Sequence, residues 1–229
     1  MLAFNQHAVF NNQVREGEGD YCWVRTGVDA DGNCFFNSYV YSLDPTLYRS
    51  LSYSDRLNHV MKVKQYFSDH ITLEHAIQLI DPSSFEQLII PIETFLKERS
   101  LSCPDLRKQP LLSIEGYNQL VLSLHPTLET DTDYMTLITS IYHMYHRMIT
   151  NYVQQNGSYM FDSLIMLFMK IMDMNILLIS DKTGKQIPHY NTIATKYTIL
   201  IYCLDNHFES IGQYKDNMMK RVFEKISFP

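Results

Sequence analysis

The sequence predicts a mixed α+β fold built on one core, and three observations predict it. Two apolar runs, Asn175-Ile-Leu-Leu-Ile-Ser and Tyr197-Thr-Ile-Leu-Ile-Tyr-Cys-Leu, have the length, Ile and Leu content and bounding turns of buried strands. Upstream, several stretches repeat apolar residues at spacings of three and four, the period of a helix with one buried face. The 229 residues are 45% hydrophobic and only 19% charged. That balance excludes a disordered chain, and at this length it supplies a full core without disulfide or metal staples.

Residues 1–20 are polar and end in Glu16-Gly17-Glu18-Gly19-Asp20, which reads as a loosely ordered lead-in to a single domain over 21–229. Gly27 to Asn33 carries two glycines and two aspartates and reads as a loop. From Cys34 the apolar positions 35, 36, 39, 40 and 43 mark a helix that stops before Asp44-Pro45. Residues 54–80 read as one or two helices with a break near Asp69–Thr72. Asp81-Pro82-Ser83 turns the chain into a further helix over Ser83–Lys97, which Pro91 kinks or ends. Residues 100–130, with Pro104, Pro110, Gly116 and Pro126, are the most irregular. The clearest helix runs from about 132 to 155, capped by Asp131 or Thr132 and followed by Gly157. Ser158 is placed to cap the next, which extends to about 172. The strands at 175–180 and 197–204 follow, then a turn at Asp205-Asn206 and a short extended piece from His207 to Ile211. Helices thus precede the strands in this reading.

The net charge of −6 argues against a general nucleic-acid binder. No apolar run approaches the roughly 18 residues of a membrane span. The best stretch, Leu164–Met169, is interrupted by Lys170 and Asp173. The N-terminus has neither the basic nor the apolar region of a secretory signal. Cys22, Cys34, Cys103 and Cys203 form no CxxC pair, so they fit a reducing compartment and a soluble protein of a cytosol. His143 and His146 lie three apart on the long helix without an HExxH pattern, and they read as helix-surface or packing residues rather than metal ligands.

The chemistry concentrates in Asp29-Ala-Asp-Gly-Asn-Cys-Phe-Phe-Asn-Ser. This loop delivers Cys34 to the first turn of a helix, where unpaired N–H groups and the helix dipole favour a thiolate. Gly32 permits a positive φ or a close approach. The amides of Asp31, Gly32, Asn33 and Cys34 are candidates for an oxyanion hole. Asp31 is suited to hold the loop through its side chain and joins the candidate catalytic set. The competing interpretation is an inert buried cysteine at a helix start. A thiol nucleophile needs a base, and His207 stands at the end of a strand and a two-residue turn. Glu209, two residues on, shares its face in an extended segment and can orient the imidazole. The alternative is a strand-end histidine with no partner.

Together these segments resemble the ovarian tumour (OTU) family of cysteine proteases. The first motif is Asp31-Gly32-Asn33-Cys34-Phe35-Phe36, and the last is the strand Ile199–Leu204 followed by His207-Phe208. Between them, the stretch from Gly157 into Ile176-Leu-Leu-Ile-Ser is similar to the family's helix leading into a buried strand. The resemblance implies a papain-like OTU fold, a small central sheet packed between helices, with a helical insertion between the two motifs. It implies a monomeric deubiquitinase that cleaves isopeptide bonds after the C-terminal glycine of ubiquitin, with Cys34 as nucleophile and His207 as base and acid. It also implies that no metal and no organic cofactor is needed. The helical region of about 50–130 would contact ubiquitin, and Asn206 and Phe208 beside His207 would contact substrate. The compact form suits a virus or an intracellular bacterium acting in a host cytosol. The family usually has Asp or Asn where this chain has Glu209. The third triad member therefore stands open among Glu209, which is preferred, Asp29, Asp20 and Asn206. Two other functions stay in view: a ubiquitin-binding protein that does not cleave, and a hydrolase of a ubiquitin-like modifier. A third is an interaction protein in which the DGNC match is chance.

Overall fold

The protein is described from a computed structural model. It describes residues 1–15, 19–79, 143, 146–147, 149–180, 187, 197–204 and 207–224, with backbone alone for 10–15, 19–21 and 77–78. The chain divides into two compact units, one formed by Met1–Ser68 with Gln154–Pro229 and the other by Asp69–Val153.

In the first unit a mixed sheet has the order β1-β2-β5-β4-β3. Its strands are β1 (His7–Arg15), β2 (Gly19–Thr26), β3 (Asn175–Ser180), β4 (Thr198–Leu204) and β5 (His207–Lys215). The short strands β6 (Met218–Lys220) and β7 (Val222–Phe223) pair with β5 and β4. β3 and β4 are parallel, and the other pairs are antiparallel. The β3–β4 pair is buried on both faces, which is why both strands read as unbroken apolar runs. Leu177, Ile179, Leu200 and Tyr202 join Trp23, Ile211 and Phe223 in one cluster.

The helices are α1 (Cys34–Leu43), α2 (Pro45–Ser50), α3 (Tyr53–Asp69), α4 (Leu73–Gln78) and α5 (Asp162–Met172). α1 packs on β5 and β4. Its anchor is an aromatic cluster in which Phe168 of α5 meets Phe35, Phe36 and Tyr39 of α1 and Phe67 of α3 edge to face. Such pairs add about 0.5–1.5 kcal/mol each beyond their burial. α2 starts where Asp44 accepts the Leu47 amide and Pro45 supplies a preset φ.

The expected fold class and the elements at 34–43, 175–180 and 197–204 are present, as is the break between α3 and α4. Three expectations are corrected. Residues 7–15, assigned to a loose lead-in, form edge strand β1, and β2 follows, so strands precede the helices as well as succeed them. An edge strand needs ladder partners more than an apolar face, and β1 takes them from β2. α5 begins at Asp162 with Phe161 as its extended N-cap, not at Ser158. The extended piece at His207 continues to Lys215, held by β2 and β4 on its two sides. The expected helix at Ser83–Lys97 and the irregular stretch 100–130 lie outside the described residues, as does most of the expected 132–155 helix. The described backbone at 149–154 is helical.

Candidate active site

Cys34 is the first residue of α1, delivered by a loop that Asp31 ties together. The Asp31 carboxylate accepts from the Asn33 amide at 3.0 Å and from Asn37 Nδ2 at 2.9 Å. Asn37 also donates to the Asp29 carbonyl, and Tyr48 donates to Asn37 Oδ1 at 2.7 Å. This is the loop-holding arrangement that a short acidic side chain favours. It engages the Asn33 amide and so removes it from the set that can meet an oxyanion. Gly32 adopts φ +81°, and a Cβ there would lie 2.6 Å from the Gly157 Cα. Both the backbone sign and the close approach therefore require glycine.

A buried clamp holds the two glycines face to face. The Asn33 side-chain oxygen accepts from Lys64 Nζ at 2.9 Å and from the Gly157 amide at 3.2 Å, while its Nδ2 donates to Asn156. Lys64 also donates to the Gln155 carbonyl. Asn33 and Lys64 are fully buried, and burial lowers the Lys64 pKa to about 8. No motif named Lys64. The signal available was its place with Val60 and Phe67 on the buried face of α3, where a lysine needs partners.

His207 opens β5, opposite Leu204 of β4. The backbone amide of Phe208, the next residue, hydrogen-bonds the Cys34 sulfur and lowers its pKa, so the two motifs meet here. Glu209 is fully buried, with Oε1 3.8 Å from His207 Nε2, beyond a hydrogen bond. Glu209 Oε1 accepts the Leu2 amide at 2.7 Å, and Oε2 stands 3.5 Å from an Arg25 guanidinium nitrogen. Of the other candidates for a third member, Asp29 is committed to Arg56 in a two-pronged pair at 2.6 and 3.0 Å and to the Tyr48 hydroxyl. Asp20 lies on β2 opposite Val14, and Asn206 falls outside the described residues.

The electrostatics correct one expectation. Cys34 is only 7% exposed, and burial pushes its thiol pKa up. The amides of Phe208, Phe35 and Cys34 pull it down but do not prevail. Desolvation of a buried thiolate outweighs the helix start. Burial also pushes the His207 pKa down, against the upward pull of Glu209 and with a further push from the N-terminal ammonium. Burial thus disfavours the charged form of both Cys34 and His207.

Cys34 sits on a cleft of ≈ 270 Å³ lined by Gly32, Gly157, Tyr159, Met160 and Phe208, among others. Phe208 is 1% exposed and packs edge to face on Phe35, so its ring is anchored in the core at the edge of the cleft that it helps to line. Tyr159 is 41% exposed and stacks on Phe208, forming the outer wall. Among the described residues, no group of His, Cys, Asp and Glu could hold a metal ion, and no helix is long and apolar enough to cross a membrane.

No protein-family model and no curated protein matches the chain. Solved structures to which it is similar are OTU domains. One is an OTU domain in complex with ubiquitin, at 12% identity over 99% of this chain and 86% of that one, with a TM-score of 0.47. A second is the OTU domain of OTUD1, at 10% identity over 82% of this chain and 85% of that one, with a TM-score of 0.40. A third is the viral OTU domain protease from Farallon virus, at 11% identity over 90% of this chain and 98% of that one, with a TM-score of 0.39.

Proposed function

We propose that the chain is a thiol hydrolase of the deubiquitinase type, cleaving the isopeptide bond that follows the last glycine of ubiquitin. The observation that carries this reading is the contact between the Cys34 sulfur and the amide of Phe208, beside His207. It supports the nucleophile and the base of the sequence motifs working on one cleft. His207 Nε2 lies toward Glu209, which would leave Nδ1 to take the thiol proton. On substrate binding, His207 takes that proton as sulfur attacks the carbonyl carbon. The oxyanion then forms near the Gly32 and Cys34 amides. As the C–N bond breaks, the imidazolium returns the proton to the leaving lysine amine. Water, deprotonated by His207, then cleaves the thioester and restores the thiol. A reducing cytosol would keep Cys34 in its reactive thiol form.

A second reading, ubiquitin binding without cleavage, is favoured by one observation: the 3.8 Å between His207 and Glu209 leaves the ring without a hydrogen-bonded orienter. Ubiquitin carrying a C-terminal electrophile separates the two. One covalent adduct, absent in Cys34→Ala, is the expected result. A folded protein that binds ubiquitin and forms no adduct would reject hydrolysis. Labelling by ubiquitin-like tails and not by ubiquitin would reassign the substrate.

A further inference from the structure

We propose that Arg25 and the backbone amide of Leu2 are positioning groups that hold the Glu209 carboxylate turned to His207. This rests on the reading of His207 as the base of the site. Glu209 is fully buried, and a carboxylate out of water is stable as an anion only with partners. Two partners come from elements far away in sequence. Leu2 donates its amide at 2.7 Å to Oε1, the same oxygen that faces His207 Nε2. Arg25 of β2 presents its guanidinium 3.5 Å from Oε2.

Both partners are themselves held. The Arg25 guanidinium lies 4.4 Å from the centre of the Tyr202 ring, and Tyr202 stands opposite Glu209 in the β4–β5 ladder. β2 pairs directly with β5, so the cation is carried on the neighbouring strand. Leu2 is seated by a small built turn. Asn5 donates to the Gly27 carbonyl at 2.9 Å, Gly27 donates to the Gln6 carbonyl at 3.0 Å, and Gln6 donates to the Ala3 carbonyl at 3.0 Å. A Cβ on Gly27 would run into the Ala3 carbonyl oxygen, so glycine is what lets the segment in. The Phe4 ring closes the seat over the Arg56 guanidinium at 4.0 Å.

Among the described residues, His207 Nε2, Glu209 Oε2 and Arg25 Nε are each buried without a hydrogen bond. All three belong to this one cluster. A contraction of roughly 1 Å around the carboxylate would turn the 3.5 and 3.8 Å contacts into hydrogen bonds, the kind of tightening that accompanies a bound substrate. Among the described residues, the charged groups that face His207 or the Glu209 carboxylate are Glu209 itself, Arg25 and the amino group of Met1.

The test uses the full chain and two probes: iodoacetamide alkylation of Cys34 between pH 5 and 9, read by mass spectrometry, and the rate of labelling by ubiquitin with a C-terminal electrophile. Glu209→Gln, Arg25→Met and Leu2→Pro, which removes a single N–H, are each expected to slow labelling about tenfold, the scale of one buried charge-assisted hydrogen bond. Each is expected to move the alkylation limb to higher pH, because a carboxylate that is removed or no longer held toward His207 does not favour the imidazolium. Arg25→Lys is expected to restore most of the rate. Arg25→Met in the Glu209→Gln background is expected to be no slower than Glu209→Gln alone. Multiplicative losses in that double variant, or an unmoved alkylation limb in folded Arg25→Met and Leu2→Pro, would overturn the assignment. Should Arg25→Met fail to fold, Leu2→Pro and Arg25→Lys decide the question. Should wild type take no ubiquitin label while the limb still moves, the substrate reading fails and the positioning role stands.

Discussion

Replacing Gly32 by alanine perturbs the loop that presents Cys34 in two separable ways. The first is backbone strain: Gly32 holds φ +81°, and placing an L side chain in the left-handed region costs about 1–2 kcal/mol. The second is steric. The new Cβ would stand 2.6 Å from the Gly157 Cα, where ordinary contact begins at 3.4 Å, so one wall of the cleft must retreat by about that difference. Overpacking of this kind adds about 1–3 kcal/mol. Gly157→Ala supplies the control. It has nearly the same backbone problem, φ +79°, but its Cβ would meet nothing nearer than the Asp31 carbonyl oxygen at 4.0 Å. Gly32→Ala is therefore expected to lose about 2–5 kcal/mol and Gly157→Ala only about 1–2 in urea unfolding. Because a 1 Å misplacement near reacting atoms can cost on the order of a hundredfold, ubiquitin-electrophile labelling of folded Gly32→Ala is expected to fall far more than that of Gly157→Ala. Equal stability losses in the two variants, or unchanged labelling in Gly32→Ala, would refute the claim that the close approach of these glycines sets the cleft.

Three further outcomes follow from the same geometry. Asp29→Asn breaks a nearly buried pair, with side chains 11% and 9% exposed, and is expected to cost about 3–5 kcal/mol in urea unfolding. Adding Arg56→Met should recover part of that loss, since the cation is no longer stranded. The buried Lys64 has its pKa lowered from 10.5 to about 8, so between these values the unfolded chain binds the extra proton. Stability from this group is therefore expected to rise with pH from about 8 to 10.5, by at most about 1.4 kcal/mol per pH unit, and Lys64→Met should abolish that slope in urea titrations across the window. Phe208→Ala is expected to cost about 3–5 kcal/mol through the cavity it leaves beside Phe35, measured by thermal or urea unfolding.

Much of the fold was legible wherever the information is local. The helix at 34–43, the break between α3 and α4, and the strands β3 and β4 are written in apolar spacing, because each buries a face whose period matches its own backbone. The loop chemistry around Asp31 and Gly32 was legible for the same reason: an Asx turn and a positive φ involve only neighbouring residues. β1 and β2 were not. Their ladder partners include β5, nearly 200 residues away, and a polar edge strand carries no apolar period to announce it.

At the site the division is sharper. Residue types and spacing by themselves singled out Cys34, His207 and Glu209 as a nucleophile, a base and a same-face carboxylate. Only the tertiary structure decided which way burial shifts Cys34 and His207 and which companions all three keep. A helix start by itself favours a thiolate, but burial at 7% exposure reverses the balance. Asp29 was a second-choice carboxylate in the sequence, and only the fold shows it engaged by Arg56. Lys64, Arg25 and the Leu2 amide carry no motif, since what they do depends on which buried oxygen lies across from them. Periodicity and turn chemistry act within a few residues. Desolvation and charge pairing act through space, between groups that only the completed fold brings together.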